Sequence, residues 1–362
     1  MIMTLTSLAA ESQHFFDGNF DPGCQYVILA NPTANNIETI RFLTDNHILR
    51  VNRKNVQFVG IYHKDQAYDF RQSIDLIREK KLTCFHLQEI PLPLGDEDVF
   101  RENSCTELFR KIFRNSVGIF FFGGPDIQPE IYGEQNTRSV VTDPVRHRLE
   151  VSLLFHLIGG AADPSFIPFL EEKPGYLVTG FCLGLQTMNV AAGGTLVQDI
   201  PLEVYGRETP REIVTLDRNN LHRNYWQELN QDSQLMGINF HPLQFTSHPF
   251  FGKNIKVSKY FHPLIYSSHH QSLENVGMGF EVTALSPDGK VIEGLAHKRY
   301  LHVFGVQFHP EVPALYENRE EWKYTPDGVL QTYHRIIGKE SVDFHKRYWG
   351  YISKCLKKSA KN

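Results

Sequence analysis

A lone cysteine and a distant histidine–carboxylate pair are the residues of this chain whose types and settings can do chemistry together. Cys182 stands in the run Gly175-Tyr176-Leu177-Val178-Thr179-Gly180-Phe181-Cys182-Leu183-Gly184-Leu185-Gln186. An apolar, partly β-branched run ends in glycine, then comes the cysteine, then a second glycine and an apolar-periodic segment through Ala192. That pattern predicts strand, sharp turn and helix, with Cys182 at the apex. A thiol so placed sits at a helix N-terminus, where the partial positive charge favours thiolate. Gly180 and Gly184 suit a tight turn with close strand–helix packing, and Gly193-Gly194 stop the helix. The dodecamer alone equally fits a buried, inert cysteine.

The second stretch is Val303-Phe304-Gly305-Val306-Gln307-Phe308-His309-Pro310-Glu311. Here a strand delivers a histidine, and a carboxylate follows two residues later on the same side of an extended chain. A cysteine protonated at neutral pH is a modest nucleophile and needs a base. The base in turn needs a group to hold its tautomer. Cys182, His309 and Glu311 supply those three parts.

The pattern G-x-C-x-G-x-Q at Gly180 to Gln186, with G-V-Q-F-H-P-E at Gly305 to Glu311, resembles the class I glutamine amidotransferase-like superfamily. Within it, the segment Gly123-Gly124-Pro125-Asp126 through Tyr132-Gly133, and Ser268-His269-His270-Gln271-Ser272, are similar to the γ-glutamyl hydrolase branch. That branch includes folate γ-glutamyl hydrolases and bacterial γ-glutamyl-γ-aminobutyrate hydrolases. The similarity runs with gaps from Gln25 to Glu311. It implies a γ-glutamyl thioester on Cys182, with His309 as base and acid and Glu311 orienting it. It also places the oxyanion donors at the backbone N–H groups of Gly124 and Leu183, each worth about 2.7–4 kcal/mol. His270 and Gln271 fall in the segment that contacts bound glutamate, whereas a structural role suits His269, because neighbours in an extended stretch face opposite ways. Gln186, one helical turn past the cysteine, either contacts the glutamyl end or is a polar residue on the helix's exposed side.

The elements that would position these residues alternate. Strands are expected at Gln25–Ala30, Val56–Tyr62, Cys84–Ile90 and Val117–Phe122. Helices are expected at Ile37–Leu49 (N-cap Asn35 or Asn36), Tyr68–Lys80, Ser104–Asn115 and Asp143–Ile158. Apolar strands between helices predict an α/β fold, a doubly wound and mostly parallel central sheet with helices on both faces. Ligands of such sheets sit at the carboxyl ends of the strands, where Gly123-Gly124 and Cys182 fall. Thr195–Ile200 reads as a short strand. Phe280–Leu285, Val291–Leu295 and Leu301–Phe308 read as a small antiparallel portion. The expected organisation is an irregular lead-in over 1–24, one hydrolase domain over 25–340, and a terminal helix with a basic tail over 341–362. Residues 203–256 match no family segment and read as an insertion that shapes the amine side of the pocket or forms the contact of a homodimer.

The chain has 362 residues, 41% hydrophobic and 22% charged, an ordinary balance for a globular protein. A net charge of -4 gives no reason to expect nucleic acid or an anionic membrane as partner. No apolar run approaches the ~20 residues that span a bilayer. The mildly apolar start lacks the basic residues of a secretory signal, and five scattered cysteines suggest no disulfide frame, so a cytoplasmic protein is expected. The 17 histidines crowd the second half without H-E-x-x-H or matched Cys/His spacing, and no phosphate-binding glycine loop is present. Neither a metal nor another cofactor is therefore expected, and the substrate is a small γ-glutamyl compound. Two rivals remain on sequence: a glutaminase that supplies ammonia to a partner synthetase, and a non-catalytic binding protein on the same fold.

Overall fold

The structure is a computed structural model that describes residues 14–18, 21 and 23–359; most of the expected lead-in lies outside the described residues. Its first half alternates strictly: β1 (Gln25–Ala30), α1 (Ala34–Asp45), β2 (Val56–His63), α2 (Arg71–Glu79), β3 (Phe85–Ile90), α3 (Thr106–Arg114), β4 (Gly118–Phe121) and α4 (Pro144–Ile158). The elbow follows as β5 (Leu177–Phe181) and α5 (Leu183–Ala191), then the two-residue β6 (Leu196–Val197). The second half supplies β7 (Asn239–Pro242), β8 (Gln244–Phe245), β9 (Leu264–Ser267), β10 (Ser272–Leu273), β11 (Phe280–Leu285), β12 (Ile292–His297) and β13 (Val303–Val306). The long α6 (Tyr333–Ser359) closes the chain, broken at Gly338.

Nine strands form one sheet in the order β3-β2-β1-β4-β5-β13-β12-β11-β8. The six from β3 to β13 are mutually parallel, and the last three add antiparallel. The winding reverses between β1 and β4, and it is outside the carboxyl ends of the strands at such a reversal that sheets of this kind bind ligands. Side chains alternate across the sheet. Ile28, Ile119, Phe121 and Val178 pack on one face against Leu153, Leu157, Leu185 and Met188 of α4 and α5. Val27, Leu29, Phe120 and Phe304 pack on the other, against Ile40 and Leu43 of α1 and Phe344, Trp349 and Ile352 of α6. Burial on both faces is why these strands read as near-continuous apolar runs.

Three expectations change. The cap of α1 is Thr33, whose Oγ1 accepts from Asn36 N at 3.2 Å, not Asn35 or Asn36, because the helix starts directly after Pro32. β13 is antiparallel only to β12 and runs parallel to β5, so it belongs to the parallel half. The expected strand at Thr195–Ile200 shrinks to β6, since Asp199 caps a helical turn that begins at Ile200. The stretch 203–256, read on sequence as an insertion, is built into the fold: β8 extends the edge of the main sheet, β7 pairs with β9, and Phe250 and Phe251 pack into the core. Among the described residues no helix is long and apolar enough to cross a membrane.

Candidate active site

Cys182 has φ +51° and ψ −109°, a backbone state that a non-glycine residue holds only when its surroundings impose it. The imposition is visible. Its N–H donates to Val306 O at 2.9 Å, and its carbonyl accepts the first bonds of α5 from Leu185 N and Gln186 N, at 3.0 and 3.2 Å. The glycines leave the required room: a Cβ at Gly180 would stand 2.4 Å from the carbonyl carbon of Gly184, and one at Gly184 would stand 2.3 Å from Phe121 O. The thiol is thus lifted off the end of β5 at the start of α5, 6% exposed.

His309 reaches the same point from β13. The strand stops at Val306, and the chain turns at Pro310, so Glu311 meets the imidazole across a turn rather than along an extended strand. Glu311 Oε1 accepts from His309 Nδ1 at 2.7 Å, and the Cys182 side chain stands near enough to the ring to favour its charged form. Burial pushes the imidazole pKa down, but the charges of Glu311 and Cys182 outweigh it and hold the ring well above its ordinary value. Pro310 O accepts from Trp349 Nε1 at 2.9 Å and from Tyr316 Oη at 2.5 Å, which fixes the turn. Tyr266 packs edge-on against the His309 ring, centroids 5.7 Å apart, and its carbonyl accepts from His309 N. No spacing in the sequence links Tyr266, Tyr316 or Trp349 to the site.

The Gly123-Gly124 turn beyond β4 lies against both groups. A Cβ at Gly123 would fall 2.7 Å from His309 Cε1 and 3.6 Å from Cys182 Cβ. Gly124 is exposed, and among the described residues neither its N–H nor that of Leu183 has an acceptor. The reason is Arg146, which sequence reasoning passed over. From α4 its guanidinium donates to Phe122 O and Gly123 O at 2.9 and 3.2 Å, while its Nε binds Glu150 at 2.7 Å. Both side chains are at least 96% buried. A trans peptide holds C=O and N–H on opposite sides. Turning Gly123 O toward Arg146 therefore turns Gly124 N–H away from it.

The expected substrate residues are placed differently from one another. Gln186 is buried, not on an exposed helix face; its Nε2 donates to Gln271 O and Gln307 Oε1, both at 3.3 Å. His270 spends both ring nitrogens on carboxylates, Nε2 with Asp126 at 2.8 Å and Nδ1 with Asp199 at 3.3 Å. Its ring keeps no nitrogen for a direct ligand contact and instead ties the Gly124-Pro125-Asp126 loop to the 270 segment. Gln271 is buried as well, with Nε2 on Ser139 Oγ and Gln198 O. The expectation of no metal-ligand set rested on linear spacing. In space, His222, His241 and Glu293 bring one ligand atom each within 4.8 Å of one another.

A cysteine elbow beside a histidine–glutamate pair at the carboxyl ends of a mostly parallel sheet is an arrangement of the class I glutamine amidotransferase-like kind. The chain belongs to the peptidase C26 family, whose profile matches residues 99–311. It is 30% identical over 199 residues to the provisionally named glutamine amidotransferase-like protein YvdE of Lactococcus lactis, covering 53% of this chain and 65% of that one. It is 27% identical over 192 residues to protein NtpR of Enterococcus hirae, covering 52% and 64%. The chain thus spans less than two thirds of the length of either relative. A Thermoplasma acidophilum structure, provisionally described as a component of GMP synthase, aligns over 94% of this chain and 98% of its own, at 11% identity and a TM-score of 0.40.

Proposed function

We propose that the chain is a cysteine hydrolase of γ-glutamyl amide bonds in small molecules, working in the cytoplasm without a cofactor. The observation that carries the reading is the imidazole of His309, paired with Glu311 at 2.7 Å and brought beside Cys182 at the Gly123 turn. Cys182 Sγ attacks the γ-carbonyl as His309 takes the thiol proton. The tetrahedral oxyanion sits against the N–H groups of Gly124 and Leu183, which have no acceptor within the described residues. Collapse breaks the C–N bond, and His309 returns the proton to the departing amine. Water activated by the same ring then releases glutamate from the thioester. Glu311 keeps the ring tautomer and stabilises the imidazolium.

The γ-glutamyl preference is supported by the Gly123 to Gly133 and Ser268 to Ser272 segments, and hydrolase chemistry by membership of the peptidase C26 family. The test is glutamate release from a panel of γ-glutamyl amides that includes glutamine. We expect amides with larger amine groups to be turned over without a partner protein, and Cys182→Ala to abolish turnover. Glutamine as the sole good substrate would favour the glutaminase reading. Unchanged hydrolysis by Cys182→Ala would end the cysteine mechanism.

A further inference from the structure

Away from the thiol, three histidines converge on one carboxylate inside the protein. Glu293 Oε1 lies 3.1 Å from His222 Nδ1, 3.6 Å from His241 Nε2 and 3.8 Å from His269 Nε2. No side chain of the four is more than 3% exposed. None of these facing atoms has a hydrogen-bond partner of good geometry, and neither the second oxygen of Glu293 nor His222 Nε2 has one. Buried polar atoms are nearly always satisfied, so six orphaned atoms on four neighbouring side chains require an explanation.

The protons sharpen the point. His241 Nδ1 contacts Pro242 O at 3.0 Å, and His269 Nδ1 contacts Gln271 O at 2.8 Å. A carbonyl only accepts, so each Nδ1 carries the hydrogen. With Nδ1 so occupied, the Nε2 atom of each of these rings is the one left to face Glu293. Backbone carbonyls that fix the tautomer through the far nitrogen are also how metal-binding histidines are held.

We infer that His222, His241, His269 and Glu293 bind one divalent, zinc-type cation that ties the 203–256 segment to the central sheet. In a tetrahedral zinc site, metal–ligand bonds of about 2.0–2.1 Å put neighbouring ligand atoms about 3.3 Å apart. The separations from Glu293 Oε1 lie within about half an ångström of that edge, and the ligand atoms of His222, His241 and Glu293 lie within 4.8 Å of one another, so an ion would draw the rings closer together, His269 with them. Three imidazoles and one carboxylate are borderline donors suited to zinc, and four protein ligands make a closed site of the structural kind. The ligands come from four places in the chain. His222 and His241 belong to the 203–256 segment, His241 on β7. His269 lies between β9 and β10, and Glu293 is on β12. His222 O also accepts from His269 N and Ser267 Oγ, which holds two of the ligand-bearing segments in register. A small crevice has His222 and His269 in its wall. The site also steadies the segment carrying His270, which clamps Asp126 beside the Gly123-Gly124 turn.

The experiment uses the full chain made without a histidine tag, stripped with a chelator and titrated with Co²⁺, then Zn²⁺. The expected result is one equivalent of Co²⁺ giving the strong visible bands of a tetrahedral ion, bleached by Zn²⁺. The melting temperature should rise by roughly 5 °C at a free ion concentration about 100 times Kd. Glu293→Gln and His269→Gln should lose the bands, while Cys182→Ser keeps them, which excludes the thiol as a ligand. Failure of the stripped native chain to take up Co²⁺ stoichiometrically, or the weak spectrum of a six-coordinate surface ion, overturns the assignment and leaves a proton-held cluster. So does retention of the bands by the folded Glu293→Gln and His269→Gln variants. Should those variants not fold, the native chain's spectrum and stoichiometry decide.

Discussion

Replacing Arg146 tests whether the Gly123-Gly124 turn is set for anion binding by a residue outside the pocket. Arg146→Met removes the bonds to Phe122 O, Gly123 O and Glu150 together. Two losses follow, and they differ in kind. Glu150, fully enclosed, is left as an unpaired buried acid, and breaking such a pair costs about 3–5 kcal/mol of stability. The turn is also free to rotate, and loss of one preorganised oxyanion donor lowers kcat by about 10²–10³. KM should hardly move, because the donor acts on charge that develops only in the transition state. The double variant Arg146→Met/Glu150→Leu separates the two. Removing the orphaned carboxylate should bring stability in urea to within about 1–2 kcal/mol of native, while kcat stays low. Glutamate release from the best γ-glutamyl amide gives kcat and KM. A γ-aldehyde analogue, bound as a tetrahedral thiohemiacetal, should lose affinity in step with kcat/KM, and a ground-state competitor should not. A double variant that folds and keeps kcat within about threefold of native would refute the peptide-orientation argument.

Three further perturbations have defined outcomes. Glu311→Gln removes the largest interaction raising the His309 pKa, so kcat should fall by roughly 10²–10⁴, and the pH profile of Cys182 alkylation by iodoacetamide should move; an unmoved profile would separate Glu311 from the imidazole. Gly123→Ala puts a Cβ where His309 Cε1 now stands, 2.7 Å away, and displacing the base by even ~1 Å should cost about 10² in kcat, with little change in urea unfolding. Burial holds His345 near 4, well below the ordinary value, so between pH 6.5 and 4 the unfolded chain binds a proton that the folded chain refuses. Stability should therefore fall with pH across that window by about 3 kcal/mol, and His345→Leu should flatten that part of the slope in urea titrations at pH 7 and 4.5.

How legible each part was depends on whether its cause is local. The elbow could be read because its demands lie within a few residues: Gly180 and Gly184 are each other's steric neighbours, so close packing is written into their spacing. Asp143 before Pro144 marked the start of α4 for the same reason, and its side chain does accept from Arg146 N. The His309–Glu311 pairing was legible, but its geometry was not, since the turn at Pro310 is held by Tyr316 and by Trp349 of α6. Arg146 looked like an ordinary helix residue beside His147 and Arg148, because α4 is buried along most of its length and gives no amphipathic contrast. What marks Arg146 is two backbone carbonyls from another element, and no periodicity carries that.

The segment 203–256 shows the same limit from the other side. It reads as an insertion on sequence, and β8 closes the sheet edge while β7 pairs with β9, both through backbone bonds that composition does not encode. Apolar side chains such as Phe240, Leu243, Phe250 and Phe251 pack this segment into the core, and polar internal groups hold it as well. His222 and His241 face Glu293, a glutamate on a strand whose other side chains are mostly small or apolar. A buried carboxylate among imidazoles costs desolvation energy that a well-packed apolar side chain would not. Its presence argues for a specific counter-charge rather than for packing, and that counter-charge has to be shared by all four side chains at once.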